Sequence, residues 1–257
     1  MFAVGHMAIA YLLGKGSSKA LHVGLNIPIL LVLSILPDID IVFDFLTGAQ
    51  IHRGPTHSLV FAVLLFIPIF LYYRKRAVPY FLALISHSVI ADYFIGGQLQ
   101  LLWPLSRARF GAYQLGFPRI DILDNINIIL EVSLFIIAAI VLYKSKDWKA
   151  FFTARVSNLV LIIPIATVLL PSTIGYPFSQ SLFITAPILA IAHLILLVLF
   201  SIAVLKTLAR LFRQWFRNPK TEPSPKEPAH IKTSTLATNN KSEFIITKFN
   251  RYFRSTS

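Results

Sequence analysis

Seven apolar runs separated by short polar, Pro- or Gly-containing stretches follow one another along the chain, at 2–14, 21–36, 58–73, 78–96, 126–143, 157–175 and 182–205. Such runs are read as helices that cross a membrane, because an open strand would leave its backbone unpaired in lipid. The last four are long enough to cross, whereas the first extends over only ~20 Å at ~1.5 Å per residue. The pattern predicts an all-α, polytopic membrane helical bundle of about six or seven hydrophobic segments, and leaves open whether residues 2–14 cross.

The overall composition agrees with a membrane protein. Hydrophobic residues make up 56% of the 257 residues, above the roughly 45–50% that is usual for soluble proteins. The chain has no cysteine, which excludes disulfides and thiolate metal sites. Any metal ion must therefore bind through nitrogen and oxygen atoms.

The chain divides by composition into a membrane-embedded domain, residues 1–205, and a basic C-terminal part. Residues 206–217 alternate Leu, Phe and Trp with Lys and Arg at helical spacing, which predicts an interfacial amphipathic helix. Residues 218–257 are predicted to be a disordered linker and basic tail. Because residues 206–257 hold eleven basic and three acidic residues, we expect contact with anionic lipid headgroups and not with nucleic acid.

The basic residues also predict an orientation, because Lys and Arg in short loops favour the cytoplasm. If the chain starts outside and crosses seven times, twenty of the 24 basic residues fall inside. The four that fall outside are Arg53, Arg107, Arg109 and Arg119. We therefore expect a multi-pass protein of the plasma (inner) membrane with a cytoplasmic C-terminal tail.

Ionisable residues are concentrated in four short stretches, GHM, LPDIDIVFD, HRGPTHS and SHSVIAD. An ionisable side chain in a hydrophobic segment is costly and marks a functional site by default. The predicted topology places all four stretches at the outer boundary of the membrane, where imidazole and carboxylate together suit zinc, manganese or iron, as one or two ions. The candidate ligands are His6, Asp38, Asp40, His52, His57, His87 and Asp92.

Several of these residues have a simpler interpretation when each is taken alone. His193 and His22 are predicted to be hydrogen-bonded core or interfacial residues. An Asp after Leu-Pro, such as Asp38, is more often a helix cap than a ligand. Asp40 can be a second ligand or a carboxylate that orients a histidine. Glu131 can join the site or pair with an arginine in the outer loops.

The motifs GH, LPDIDIVFD, HRGPTHSLVFA, the His/Asp pair of SHSVIAD and LLWPLSRARFG together resemble the membrane-bound metal-dependent hydrolase family, YdjM-like, whose bacterial members include LexA-regulated inner-membrane proteins. The resemblance covers about residues 1–115. It implies a membrane-embedded hydrolase with its metal ligands among the seven candidates.

The fourth motif departs from the family pattern, in which His and Asp are three residues apart. In SHSVIAD four residues separate His87 from Asp92, which turns them ~140° apart on a regular α-helix. Either the helix is broken there or only one of the two side chains reaches the metal.

The leading hypothesis is a metal-dependent hydrolase in which the cation makes hydroxide available near neutral pH by lowering the pKa of water. Asp40 or His57 would act as general base, and Arg53, Arg107 or Arg109 would hold an anionic group. A site at the lipid boundary suggests a lipid or a lipid-linked ester or phosphoester as substrate. The alternatives are a metal-ion transporter or channel, and a non-catalytic membrane scaffold.

Overall fold

The computed structural model describes residues 1–48, 51–175 and 180–217, and this part of the chain is all-helical, without strands. The predicted all-α class is thus confirmed for the described residues. The α-helices are, in chain order, α1 (Ala3–Leu21), α2 (Ile27–Leu33), α3 (Asp40–Thr47), α4 (Leu59–Tyr73), α5 (Val78–Ile85), α6 (Asn125–Lys144), α7 (Lys149–Phe152), α8 (Ile162–Pro164), α9 (Leu170–Ile174), α10 (Leu182–Thr185) and α11 (Pro187–Arg217).

Three helical stretches are long and apolar enough to cross a membrane: Asn125–Lys144, Val156–Ile174 and Pro187–Phe216. They correspond to the apolar runs predicted at 126–143, 157–175 and 182–205. The helices formed by the other four runs are shorter or, as in the 19-residue α1, interrupted by polar residues. A total of six or seven crossings therefore stays a prediction.

Helix α4 nevertheless carries the surface expected of a segment in lipid. It begins at Ser58, whose side chain caps it by accepting a hydrogen bond from the Phe61 backbone N–H at 3.2 Å. Its apolar side chains point outward along its whole length, with Leu64 57% and Leu71 59% exposed. A contiguous apolar surface of this kind is rare on soluble proteins and indicates contact with lipid or protein.

Helix α1 lies at the centre of the main core and packs against α2, α5 and α6. Buried residues on several of its faces, including Val4, Ala10 and Tyr11, are 2% exposed or less. A helix that is buried on most of its circumference belongs to the interior of a bundle. Residues 2–14 therefore form an internal helix, whether or not they also cross the membrane.

The long connection between Asp92 and α6 folds back over the loop that precedes α4. Leu101 O accepts a hydrogen bond from the Leu59 N–H at 2.9 Å, and Arg53 O accepts one from the Gln100 N–H at 3.0 Å. Isolated bridges between Leu99 and Phe110 and between Ile95 and Ile120 fix its path. These bonds place residues 93–124 beside the HRGPTHS motif.

The described chain falls into two compact units, Met1–Leu208 and a second that begins at Ala209. The region predicted as an interfacial amphipathic helix, 206–217, is helical and belongs to α11. Within it, Phe212, Trp215 and Phe216 are exposed, as expected for an apolar face that contacts lipid. The predicted linker and basic tail, 218–257, lie outside the described residues.

Candidate metal centre

Three short segments bring His and Asp side chains to one point. Asp38 lies in the 3-10 turn Leu36–Ile39, which follows α2 directly. His57 ends a second 3-10 turn, Pro55–His57, that leads into α4. In both turns a proline near the start has no N–H to donate and so favours a short turn over a long regular helix. His87 and Asp92 come from the segment after α5.

The segment that carries His87 and Asp92 is a π-helix, Ser86–Asp92, which continues α5. The Tyr93 N–H donates to Ser88 O, five residues earlier, at 3.0 Å. With hydrogen bonds between residues five apart, His87 and Asp92 lie about one turn apart on the same face. The wider spacing of this motif is thus accommodated by a wider helix, and both side chains reach the centre.

Asp38, His57, His87 and Asp92 form a buried cluster whose ligand atoms all lie within 4.8 Å of one another. The two histidine Nε2 atoms are 3.2 Å apart. Asp38 Oδ1 lies 3.5 Å from His57 Nε2 and 3.2 Å from His87 Nε2. Asp92 Oδ2 lies 3.5 Å from His57 Nε2 and 3.7 Å from His87 Nε2.

These separations suit a metal ion. Four atoms placed tetrahedrally at ~2.0–2.2 Å from a zinc ion are about 3.3–3.6 Å from one another. The five distances in the cluster, 3.2 to 3.7 Å, fall close to that range. The donor atoms are nitrogen and carboxylate oxygen, which zinc and manganese both accept. The cluster can therefore bind a divalent metal ion.

Each histidine of the cluster is oriented by a bond from its other ring nitrogen. His87 Nδ1 donates to the backbone oxygen of Ser34 at 2.6 Å, because a carbonyl can only accept. This bond leaves His87 Nε2 as the ring atom that faces the centre. His57 Nδ1 lies 3.4 Å from Asp40 Oδ2 and 3.1 Å from Thr56 Oγ1. Such contacts behind a metal-binding imidazole fix its orientation and raise its basicity.

Asp40, His52 and His57 form a second group whose atoms lie within 4.8 Å. Asp40 is already engaged by protein donors, because its Oδ2 accepts from the Thr56 hydroxyl at 2.5 Å and its Oδ1 lies 2.8 Å from His52 Nδ1. The His52 side chain is 32% exposed, while Asp40 is buried. This geometry favours an orienting carboxylate behind His57 over a second metal ligand.

His6 is brought to the cluster but is not one of the grouped donors. Its ring stacks on that of His87, with centroids 3.8 Å apart and planes at 10°. Its Nε2 lies 3.4 Å from Asp92 Oδ1 and 3.2 Å from Met1 O. His6 thus packs behind two members of the cluster.

Arg53 is the arginine that reaches the centre. Its guanidinium donates to the carbonyl oxygens of Ile95 and Gly96 and lies 3.5 Å from Asp92 Oδ2. Gly96 has φ +85°, and a Cβ there would lie 2.4 Å from Arg53 Nη2, so this approach requires glycine. Arg107 and Arg109 are exposed, and neither makes an ion pair within the described part of the chain.

Contacts in and around the cluster shift the pKa values of Asp38, Asp40 and His57, which lie outside the predicted membrane spans. Burial would raise the pKa of Asp38, but the imidazoles of His87 and His57 outweigh it and hold that pKa well below its usual range. Burial also opposes ionisation of Asp40, yet its contacts with His52 and His57 lower the pKa to about 2. Burial would lower the pKa of His57, but the carboxylates around it raise that pKa well above its usual value.

Other parts of the site are not marked by the sequence. Thr56 lies within HRGPTHS, but only its contact with Asp40 reveals a role. The Ser34 carbonyl that orients His87 has no sequence signal, since every residue has a carbonyl.

Glu131 accepts hydrogen bonds from the backbone at the start of α1 instead of pairing with an outer-loop arginine. His193 is buried in the core and bonded to Leu189 O, as predicted.

Comparison with known proteins identifies a family. The family model described as "YdjM inner membrane protein" matches residues 1–173, which extends the sequence resemblance beyond residue 115. Neither the curated proteins nor the solved structures yield a match. Because the matched region contains the whole buried His/Asp cluster and well over half of the chain, this protein belongs to the YdjM inner membrane protein family.

Proposed function

We propose that this protein is a membrane-embedded metal-dependent hydrolase that acts at the outer membrane boundary on a lipid or a lipid-linked ester or phosphoester. The observation that carries the proposal is the spacing of the Asp38, His57, His87 and Asp92 donor atoms, with both imidazoles oriented from behind. Buried charged groups in such a cluster are too costly to persist without a function or a bound ion.

A catalytic metal needs an open coordination position, and four protein ligands in a tetrahedron leave none. Asp92 is the member best suited to stay outside the ligand set. Its Oδ1 faces His6 and the terminal amine of Met1, and its Oδ2 faces Arg53 as well as the cluster. Asp38, His57 and His87 then serve as the three ligands, and Asp92 is placed to accept a proton at Oδ2.

When bound, a divalent ion supplies Lewis-acid chemistry and lowers the pKa of water. The remaining roles belong to the chain itself. Asp40 holds the His57 ring through Nδ1, assisted by Thr56. Arg53 fixes the turn at Gly96 against Asp92. Arg107 and Arg109 offer exposed positive charge in the connection that packs on the HRGPTHS loop, where they would bind an anionic group.

A lipid-type substrate is proposed from the surface around this connection. Leu105 is 80% exposed, Leu115 69% and Phe117 52%. The apolar face of α4 begins at the same loop, because Ser58 also donates to Trp103 O at 2.5 Å. Apolar and cationic groups presented together suit a molecule with an acyl or prenyl chain and an anionic head.

The test is metal analysis of the detergent-purified protein beside His57→Ala and Asp38→Ala, followed by assays of each on a panel of lipid phosphoesters. His22→Asn is a matched control, since His22 is exposed and has φ 53°, which asparagine tolerates. We expect metal and activity in the wild type and the control, and neither in the two variants. Equal metal content in all four proteins would defeat the proposal.

The outer location needs a separate test, which the cysteine-free chain makes simple. Leu105→Cys, in the connection, should be labelled by an impermeant maleimide from the outside. Lys144→Cys, at the end of α6, should be labelled only after the membrane is opened. Labelling of Leu105→Cys only from the cytoplasm would reverse the proposed orientation.

A further inference from the structure

Glu131 is a buried carboxylate that the metal centre itself does not use. It lies in α6 and is fully buried. Its Oε1 accepts hydrogen bonds from the Phe2 N–H at 2.8 Å and from Asn127 Nδ2 at 2.9 Å, and its Oε2 accepts from the Gly5 N–H at 3.1 Å. Phe2 and Gly5 lie at the N-terminal end of α1.

The start of α1 depends on an outside acceptor. The first N–H groups of a helix have no partner within it and are usually capped by a polar side chain. The residue in that position here is Phe2, which has no such group, and α1 has no acidic residue in its first turn. Glu131 supplies from another helix the acceptor that the local sequence lacks, with a negative charge favoured at that end.

Gly5 is the steric counterpart of this contact. A Cβ at position 5 would lie 2.8 Å from Glu131 Oε2 and 2.6 Å from Met1 Cε. The carboxylate therefore approaches α1 as closely as glycine allows. Both residues of the GH motif therefore make structural contacts. Gly5 leaves room for the Glu131 carboxylate, and the next residue, His6, stacks on His87.

We propose that Glu131 is a positioning residue for the metal centre: by capping the first turn of α1 it holds the His6 ring against His87 and Asp92. The link is short, since Gly5 and His6 are consecutive and His6 Nε2 lies 3.4 Å from Asp92 Oδ1. The inference rests on the proposed function in so far as the cluster binds a metal. The hold of Glu131 on α1 is testable without a metal.

The first experiment measures zinc affinity in a double-mutant cycle of Glu131→Ala and His6→Ala. Loss of a group behind the ligands costs about 10–100-fold in metal affinity, so we expect about a tenfold loss for Glu131→Ala. If Glu131 acts through His6, the same change in a His6→Ala background should cost less than about twofold. Ser133→Ala, exposed on the same helix, is the control and should change nothing. Fully additive losses would overturn the proposal.

The second experiment measures how accessible the start of α1 is to a labelling reagent. Val4→Cys places a reporter at a position that is 0% exposed, so a maleimide should label it slowly. Adding Glu131→Ala should speed labelling about tenfold, the size of effect expected from losing a helix cap. Adding Ser133→Ala should leave the rate unchanged. Equal rates with and without Glu131 would overturn the proposal.

A third variant tests the steric contact. Gly5→Ala alone should weaken zinc binding about as much as Glu131→Ala, because the added methyl group pushes the carboxylate away. In Gly5→Ala/Glu131→Ala the carboxylate is gone and only the flexible end of the Met1 side chain remains against the added methyl group, so the two losses should not add. If the wild type binds no zinc, the proposed function fails, and the labelling rate alone then decides whether Glu131 holds α1 and His6.

Discussion

The part of the chain before residue 125 and the part after it are built differently. The first part contains four 3-10 turns, a π-helix and a long connection, and it holds the whole His/Asp cluster. The second part contains the three stretches that are long and apolar enough to cross a membrane. Short turns can point neighbouring side chains toward one site, whereas a long regular helix would place them on different faces. The reactive groups thus lie on short turns and a π-helix, while the long apolar stretches supply the support, one of which, Val156–Ile174, itself contains a 3-10 and a π-helical segment.

The two parts meet where α1 packs on α6. Tyr11 of α1 donates to Asp147 Oδ2 at 2.9 Å, and Lys15 Nζ lies 2.6 Å from the same oxygen. Glu131 holds the opposite end of α1. The long helices therefore hold α1, which carries His6, at two fixed points, and the stretch Val156–Ile174 also packs on α2 and on the turn that carries Asp38. Changes in the first part that move a member of the cluster off the shared site should weaken metal binding, while changes of outward-facing side chains in the second should not.

The largest loss of zinc affinity is expected from changing the number of residues between His87 and Asp92. Inserting one alanine after Val89 places the two residues six apart, so that Asp92 leaves the shared face and zinc affinity falls about a hundredfold, the upper end for a group that is not itself a ligand. Deleting Val89 places them four apart, which a regular α-helix brings onto one face, so zinc binding should be retained. Calorimetric titration compares the two variants, and equal losses would contradict this role of the π-helix.

A smaller effect is expected for Asp40→Asn, which keeps the shape of the side chain but weakens its contact with His57 Nδ1. Zinc affinity should fall about 10–100-fold without being abolished, as for other groups that orient a ligand. Asp121→Asn, at an exposed position paired with Arg119, is the control and should leave affinity unchanged. If Asp40→Asn removed zinc as completely as Asp38→Ala, Asp40 would be a ligand.

The metal-free protein should show a pH dependence that originates in the site. The pKa of His57 is raised in the folded state, so its contribution to stability is complete below the unfolded value of 6.5 and is lost as pH rises through the folded pKa. We expect the melting temperature to fall by a few degrees, about 2–4 °C, on the alkaline side. Zinc must displace this proton, so its affinity should rise with pH. A melting temperature independent of pH above neutrality would contradict this.

The smallest changes in metal content and stability are expected from substitutions on the apolar surface of the second part. Ile136 in α6 is 52% exposed, and Ile136→Ala should leave metal content unchanged and alter the free energy of unfolding by less than about 0.5 kcal/mol. Leu30→Ala, in the core beside α1, should cost about 2–5 kcal/mol. Thermal unfolding in detergent measures both. Loss of metal from Ile136→Ala would show that the outward-facing surface of α6 also influences the metal centre.

The sequence alone determined the all-helical class, the three long apolar helices and the residues from which the cluster is made. These follow from hydrophobic run length and from the cost of placing His and Asp beside lipid, both of which are local properties of the chain. Only the tertiary structure decided which structural role each of these residues has. The π-helix turns Asp92 toward His87, Asp40 lies behind His57, and Glu131 caps α1. The last two depend on contacts between residues far apart in sequence, and the π-helix departs from the regular helix that the apolar run predicts, so no local pattern contains them.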